Sequence, residues 1–197
     1  MNDQEKVDKT RRTLVVATSV LGGAATLGAA VPFAASMLPS ERAKAAGAPV
    51  EVDLSTIAPG QMAVVEWRGK PVWVIRRTKE MIDALKVAEA QLTDPGSEAS
   101  IQPEYAENEY RARDPGLMVM EGVCTHLGCS PQLRTAEAKA EMGADWAGGF
   151  YCPCHGSKFD YAGRVFRGAP APTNLIVPPY TIADSKLVIG EDEKNKG

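Results

Sequence analysis

The chain has two histidines and four cysteines, and all six fall in two short boxes. The first reads Cys124-Thr125-His126-Leu127-Gly128-Cys129, the second Cys152-Pro153-Cys154-His155-Gly156-Ser157. Thiolate and imidazole are ligands of zinc, copper and iron–sulfur centres. A chain that gathers every thiol and imidazole it owns into two matched boxes is building one site. Its fold has to set two tight loops face to face, with Gly128, Pro131, Pro153 and Gly156 supplying the turns.

Six candidate ligands exceed the needs of one four-ligand site. Cys124 with His126 and Cys152 with His155 read as two ligand pairs, with Cys129 and Cys154 left over. Two Cys and two His also suit a structural zinc site. Against zinc stand the extra Cys pair, which a zinc ribbon does not need, and the Cys-x-His spacing, which differs from Cys-x-x-Cys and His-x-x-x-His.

The six positions in their order resemble the Rieske [2Fe–2S] signature of cytochrome bc complexes. The resemblance implies one [2Fe–2S] cluster per chain, with Cys124 and Cys152 on the inner iron and His126 and His155 on the outer one. It implies a loop-bridging Cys129–Cys154 disulfide. Neutral imidazoles in place of thiolates raise the potential to roughly −150 to +300 mV, against about −400 mV for plant-type ferredoxins. An iron-bound imidazole keeps a second nitrogen, which links electron transfer to proton transfer. Two neighbours are expected to tune the cluster. Ser157 stands where the family has a hydroxyl donor to the cluster. Phe159 stands where the family often has a Tyr that donates to a ligand sulfur. This departure predicts a potential below that of Tyr-bearing relatives.

The N-terminus suggests a membrane anchor. No charged residue occurs from Thr13 to Ser40, which exceeds the about 20 residues a bilayer needs. Gly22, Gly23 and Gly28 make the span weakly hydrophobic and able to lie close to other helices. Lys6, Lys9, Arg11 and Arg12 precede it, which places the N-terminus in the cytoplasm. Thr10-Arg11-Arg12-Thr13 resembles a twin-arginine signal, a route that exports folded cargo. The expectation is an uncleaved, single-pass protein of the bacterial inner membrane. Its head would be periplasmic, where a disulfide persists.

The expected layout is a cytoplasmic tail at 1–12, a transmembrane helix at 13–38, a semi-rigid hinge linker at 39–49, a head at 50–190 and a charged tail at 191–197. The head is expected to be mainly β: an antiparallel sandwich with a small cluster-binding subdomain at about 122–172 and one helix insertion. Strands are expected at Met62–Trp67, Pro71–Arg76, Leu117–Glu121, Gly149–Tyr151, Val165–Phe166, Asn174–Val177, Tyr180–Ala183 and Leu187–Ile189. A helix is expected over Lys79–Leu92 with Thr78 as N-cap. Residues 97–116 read as a solvated loop, and Ala169–Pro172 resembles the family's Pro loop over the cluster. With 22 Lys and Arg against 25 Asp and Glu there is no basic patch for nucleic acid.

The resemblance implies a subunit of a quinol–cytochrome c reductase that is not active alone. It would take one electron from ubiquinol, with His155 as hydrogen-bond partner and proton acceptor, and pass it to cytochrome c1. Implied partners are cytochrome b, cytochrome c1 and membrane lipid, in a dimeric complex that contributes to proton translocation. The alternatives are the Rieske subunit of a periplasmic oxidoreductase such as arsenite oxidase, and a soluble Rieske ferredoxin. Ferredoxins of that kind usually lack the extra Cys pair and the anchor.

Overall fold

A computed structural model describes residues 9–192, with backbone alone at Arg42 and Ala46. Residues 1–8, most of the expected polar tail, and residues 193–197 of the charged tail lie outside the described residues. The chain divides into two units, one ending at Ala45 and the other starting at Ala46.

In the first unit, α1 (Lys9–Ala35) is a 27-residue helix. At about 1.5 Å per residue it is about 40 Å long, more than the about 30 Å of a hydrocarbon core. Among the described residues it is the one helix long and apolar enough to cross a membrane. The hydroxyls of Thr13, Thr18 and Thr26 donate to carbonyls one turn back, at 2.8–2.9 Å. That satisfies them without water. The helix begins and ends before the expected 13–38. Lys and Arg propagate a helix well, so Lys9–Arg12 join it. Pro39 disfavours helical geometry at Leu38, and Met37 and Leu38 form a tighter turn onto Ala34 and Ala35. α2 (Glu41–Ala46) follows within the expected linker. Ser40 Oγ caps it by accepting from Ala43 N at 3.2 Å.

Among its described residues the second unit has nine strands: β1 (Val50–Asp53), β2 (Met62–Trp67), β3 (Lys70–Arg76), β4 (Leu117–Glu121), β5 (Gln132–Arg134), β6 (Gly149–Tyr151), β7 (Lys158–Phe159), β8 (Tyr180–Ala183) and β9 (Lys186–Ile189). They form three antiparallel sheets of three strands, ordered β1-β9-β8, β2-β3-β4 and β5-β6-β7. Two-residue turns close the β2–β3 and β8–β9 hairpins. Their residues Arg68, Gly69, Asp184 and Ser185 all have positive φ, which matches the right-handed strand twist. β3 is the central strand of its sheet and is buried from Val72 to Ile75, so it reads as an unbroken apolar run. All three sheets contribute to one core, with Leu187 and Ile189, Val74 and Met120, and Phe150 and Phe159 among its members. The architecture is mainly β, as the sequence implied.

α3 (Lys79–Ala88) follows β3, capped by Thr78 Oγ1, which accepts from Met81 N at 3.4 Å. It stops short of the expected Leu92. A short 3-10 turn over Glu89–Gln91 intervenes, and Leu92 is extended and bridged to Phe166. α4 (Lys139–Met142) sits between the boxes, where no helix was expected.

Three further expectations differ from the structure. Asn174–Val177 is not a strand: Leu175 N–H reaches Gly163 O, Glu121 N–H reaches Ile176 O and Val177 N–H reaches Ile101 O. Bonds to three separate segments make no ladder. Val165 and Phe166 form isolated bridges rather than a strand. Residues 97–116 are not simply solvated surface. Ser97, Ala106 and Arg111 are fully buried, and Arg111 donates to Ala162 O and Gln102 Oε1.

Candidate metal centre

β4 and β6 deliver the two boxes, and the boxes fold alike. Cys124 N–H donates to Cys129 O at 2.7 Å and Cys152 N–H to Ser157 O at 2.8 Å. Gly128 N–H returns to Cys124 O at 3.0 Å, and Gly156 N–H to Cys152 O at 2.9 Å. Gly128 and Gly156 have φ of 84° and 81°, a left-handed geometry that explains glycine at both places. The side chains depart from this likeness. Histidine is third in the first box and fourth in the second.

The structure brings the box side chains together in two layers. Cys124 and Cys152 are free thiols, each 2% exposed. His126 is half-buried and His155 exposed, with ring centroids 4.7 Å apart and planes at 89°. Cys129 and Cys154 are joined in a disulfide that ties the loops across 25 residues. Cys152 Sγ lies within 4.8 Å of both disulfide sulfurs. That closeness is no three-thiolate site, because a disulfide sulfur carries no thiolate charge.

Burial pushes the Cys124 thiol up. Its bond with Cys152 adds to the rise, while bonds to its sulfur from His126 N–H and from the Ser157 hydroxyl oppose it. Two buried thiols this close resist ionising together unless a cation joins them. Two thiols and two imidazoles therefore fit a metal cluster better than they fit water or each other.

Ser157 is 1% exposed. Its Oγ accepts from Ala171 N at 3.0 Å, which leaves its one proton for Cys124. Ala171 belongs to the Pro loop, so that loop orients the Ser157 hydroxyl. Thr125, for which no role was expected, holds the residue that follows this loop, with Oγ1 donating to Thr173 O at 2.7 Å. A hydroxyl between two expected ligands was the available signal. Phe159 is fully buried, paired with Phe150 and bridged to Val165.

The Rieske [2Fe–2S] domain family matches residues 104–181. The ubiquinol–cytochrome c reductase iron–sulfur subunit of Allochromatium vinosum is 53% identical over 183 residues, 92% of this chain and 88% of the relative. The chain belongs to the Rieske iron–sulfur subunits of ubiquinol–cytochrome c reductase. The Bradyrhizobium diazoefficiens subunit is 44% identical over 88% of each chain. A chain of a hyperthermophilic respiratory Complex III is 30% identical, covering 88% of this chain and 98% of that one, with a TM-score of 0.48.

The cofactor of this Rieske subunit is accordingly a [2Fe–2S] cluster, and its work is electron transfer beside other complex III subunits. It is membrane-anchored, with α1 as the candidate span. The zinc, ferredoxin and arsenite-oxidase readings fall away.

Proposed function

We propose that Cys124 and Cys152 hold the inner iron and His126 and His155 the outer one. Two buried thiols beside two imidazoles nearer solvent carry this reading. When bound, the cluster takes up one electron at a raised potential. His155, exposed beyond the core, presents its imidazole to the ubiquinol hydroxyl and takes the proton at the ring nitrogen that faces away from iron. Ser157 and Phe159 set the surroundings of the inner sulfurs, one with a hydroxyl and one without. The disulfide and the Pro loop hold the two loops closed and keep water from the thiols.

The electron would pass on to cytochrome c1 and the second quinol electron to the cytochrome b haems on another chain, within a dimeric complex that contributes to proton translocation. Residues 1–12 form a cytoplasmic tail with the twin-arginine signal, 13–38 the membrane segment, 39–49 the hinge, 50–190 a periplasmic head with its cluster-binding part at about 122–172, and 191–197 a tail. The head moves on its hinge, so that one cluster serves both quinol and cytochrome c1. EPR spectra of membranes carrying His126→Ala or His155→Ala test the ligand assignment. Each variant is expected to lose the Rieske signal. An unaltered signal in either would overturn it.

A further inference from the structure

Trp73 lies on β3 between Val64 of β2 and Met120 of β4 and is 4% exposed. Its indole lies against Gly122. A Cβ on Gly122 would lie 2.2 Å from Trp73 Cε2 and 2.3 Å from Nε1, so no side chain fits there unless the indole moves. The same indole stacks on Phe150, with ring centroids 4.9 Å apart and planes at 25°.

Gly122 stands two residues before Cys124, and Phe150 stands two residues before Cys152. One indole therefore touches equivalent points at the roots of both ligand loops. Gly122 is held to β3 as well, through its N–H to Pro71 O at 2.7 Å. Phe150 is paired with Leu133 and Phe159 in the β5-β6-β7 sheet. The disulfide joins the loops beyond Cys124 and Cys152 or beside them, at Cys129 and Cys154. Trp73 joins them before those residues.

We propose that Trp73 is a positioning residue for the cluster: its indole fixes the spacing of the two loop roots, and through them of Cys124 and Cys152. This inference rests on the reading that these loops hold the cluster. It extends that reading to a side chain outside both boxes.

The test compares Trp73→Leu, Trp73→Phe and Trp67→Leu in the full chain within the solubilised complex. Trp67 is equally buried in the same core but packs beside Gly190. One readout is the EPR line shape and midpoint. The other is the rate at which a phosphine reduces Cys129–Cys154, which reports loop opening without electron transfer. Trp73→Leu is expected to broaden the EPR lines and speed reduction about tenfold, the equilibrium weight of one stacked aromatic contact. Trp73→Phe keeps a ring on Phe150 and is expected to stay near the parent in both. Trp67→Leu is expected to lower thermal stability and leave both unchanged.

Equal rates and spectra in Trp73→Leu and Trp67→Leu would reduce Trp73 to core packing. If Trp73→Leu fails to accumulate, Gly122→Ala displaces the indole and is expected to act in the same direction. Parent behaviour in that variant overturns the proposal. A parent complex with no Rieske signal would instead remove the ligand reading, and the reduction rates would still judge the indole.

Discussion

Asp160→Asn separates charge from shape inside the head. The Asp160 and Arg164 side chains are 2% and 1% exposed and meet at 2.7 Å between Oδ2 and Nε. Asp160 Oδ1 accepts from Ala162 N and Arg164 N at 2.9 and 2.8 Å. Burial pulls Arg77 and Arg111 down to about 10, and the Asp160 charge is the largest influence opposing that fall in each. One carboxylate thus serves three buried guanidinium groups. Asparagine keeps the volume and one acceptor, but sets an amide donor against Arg164 Nε–H and removes the charge. Breaking a buried pair in this way costs about 3–5 kcal/mol. At about 2–4 °C per kcal/mol for a domain of this size, the head should melt roughly 6–20 °C lower. Arg164 also donates to Pro95 O and Leu85 O, so the loss spreads into the helix insertion. The assay is thermal loss of the Rieske EPR signal in the solubilised complex. The double variant Asp160→Asn with Arg164→Met should recover part of the loss, since Arg164 is no longer stranded beside the amide, while Arg77 and Arg111 still lack the Asp160 charge. A fall of less than about 2 °C, equivalent to a solvated pair, would refute the reasoning.

Phe159→Tyr restores the hydroxyl expected to reach a ligand sulfur and should raise the midpoint on the order of 50 mV in a redox titration; an unchanged or lower value removes the tuning role. Cys129→Ser or Cys154→Ser unlinks the loops and should lower iron and labile sulfide per chain, so full cluster content would sink the bracing role of the disulfide. Ala45→Pro removes an N–H inside α2, costing about 3 kcal/mol in that helix. It should slow electron delivery to cytochrome c1 in stopped-flow traces with the EPR spectrum intact, and unchanged turnover would argue against a working hinge.

The centre was legible because its chemistry is local. Both boxes carry their own turns, so the metal chemistry could be read before any strand was placed. Strands with a regular ladder were equally readable: Met62–Trp67, Leu117–Glu121, Gly149–Tyr151 and Tyr180–Ala183 have the expected bounds. What escaped depends on distant partners. Asn174–Val177 has strand-like residues but bonds to three segments. Arg111 looked like surface charge and is buried, because Gln102, Ala162 and the Asp160 carboxylate meet it across the chain. The Ala171 N–H that orients Ser157 is a backbone group, and a side-chain motif carries no trace of it. Nothing in the sequence links Trp73 to residues 122 and 150, which it meets only through the fold.

The central claim is that this cluster works at a quinol-oxidising site. An EPR-monitored redox titration of native membranes, with and without an inhibitor of that site, tests it most directly. The account predicts a Rieske signal with a high midpoint that falls at alkaline pH and a line shape that the inhibitor perturbs. A Rieske signal indifferent to the inhibitor, or no such signal, would contradict it.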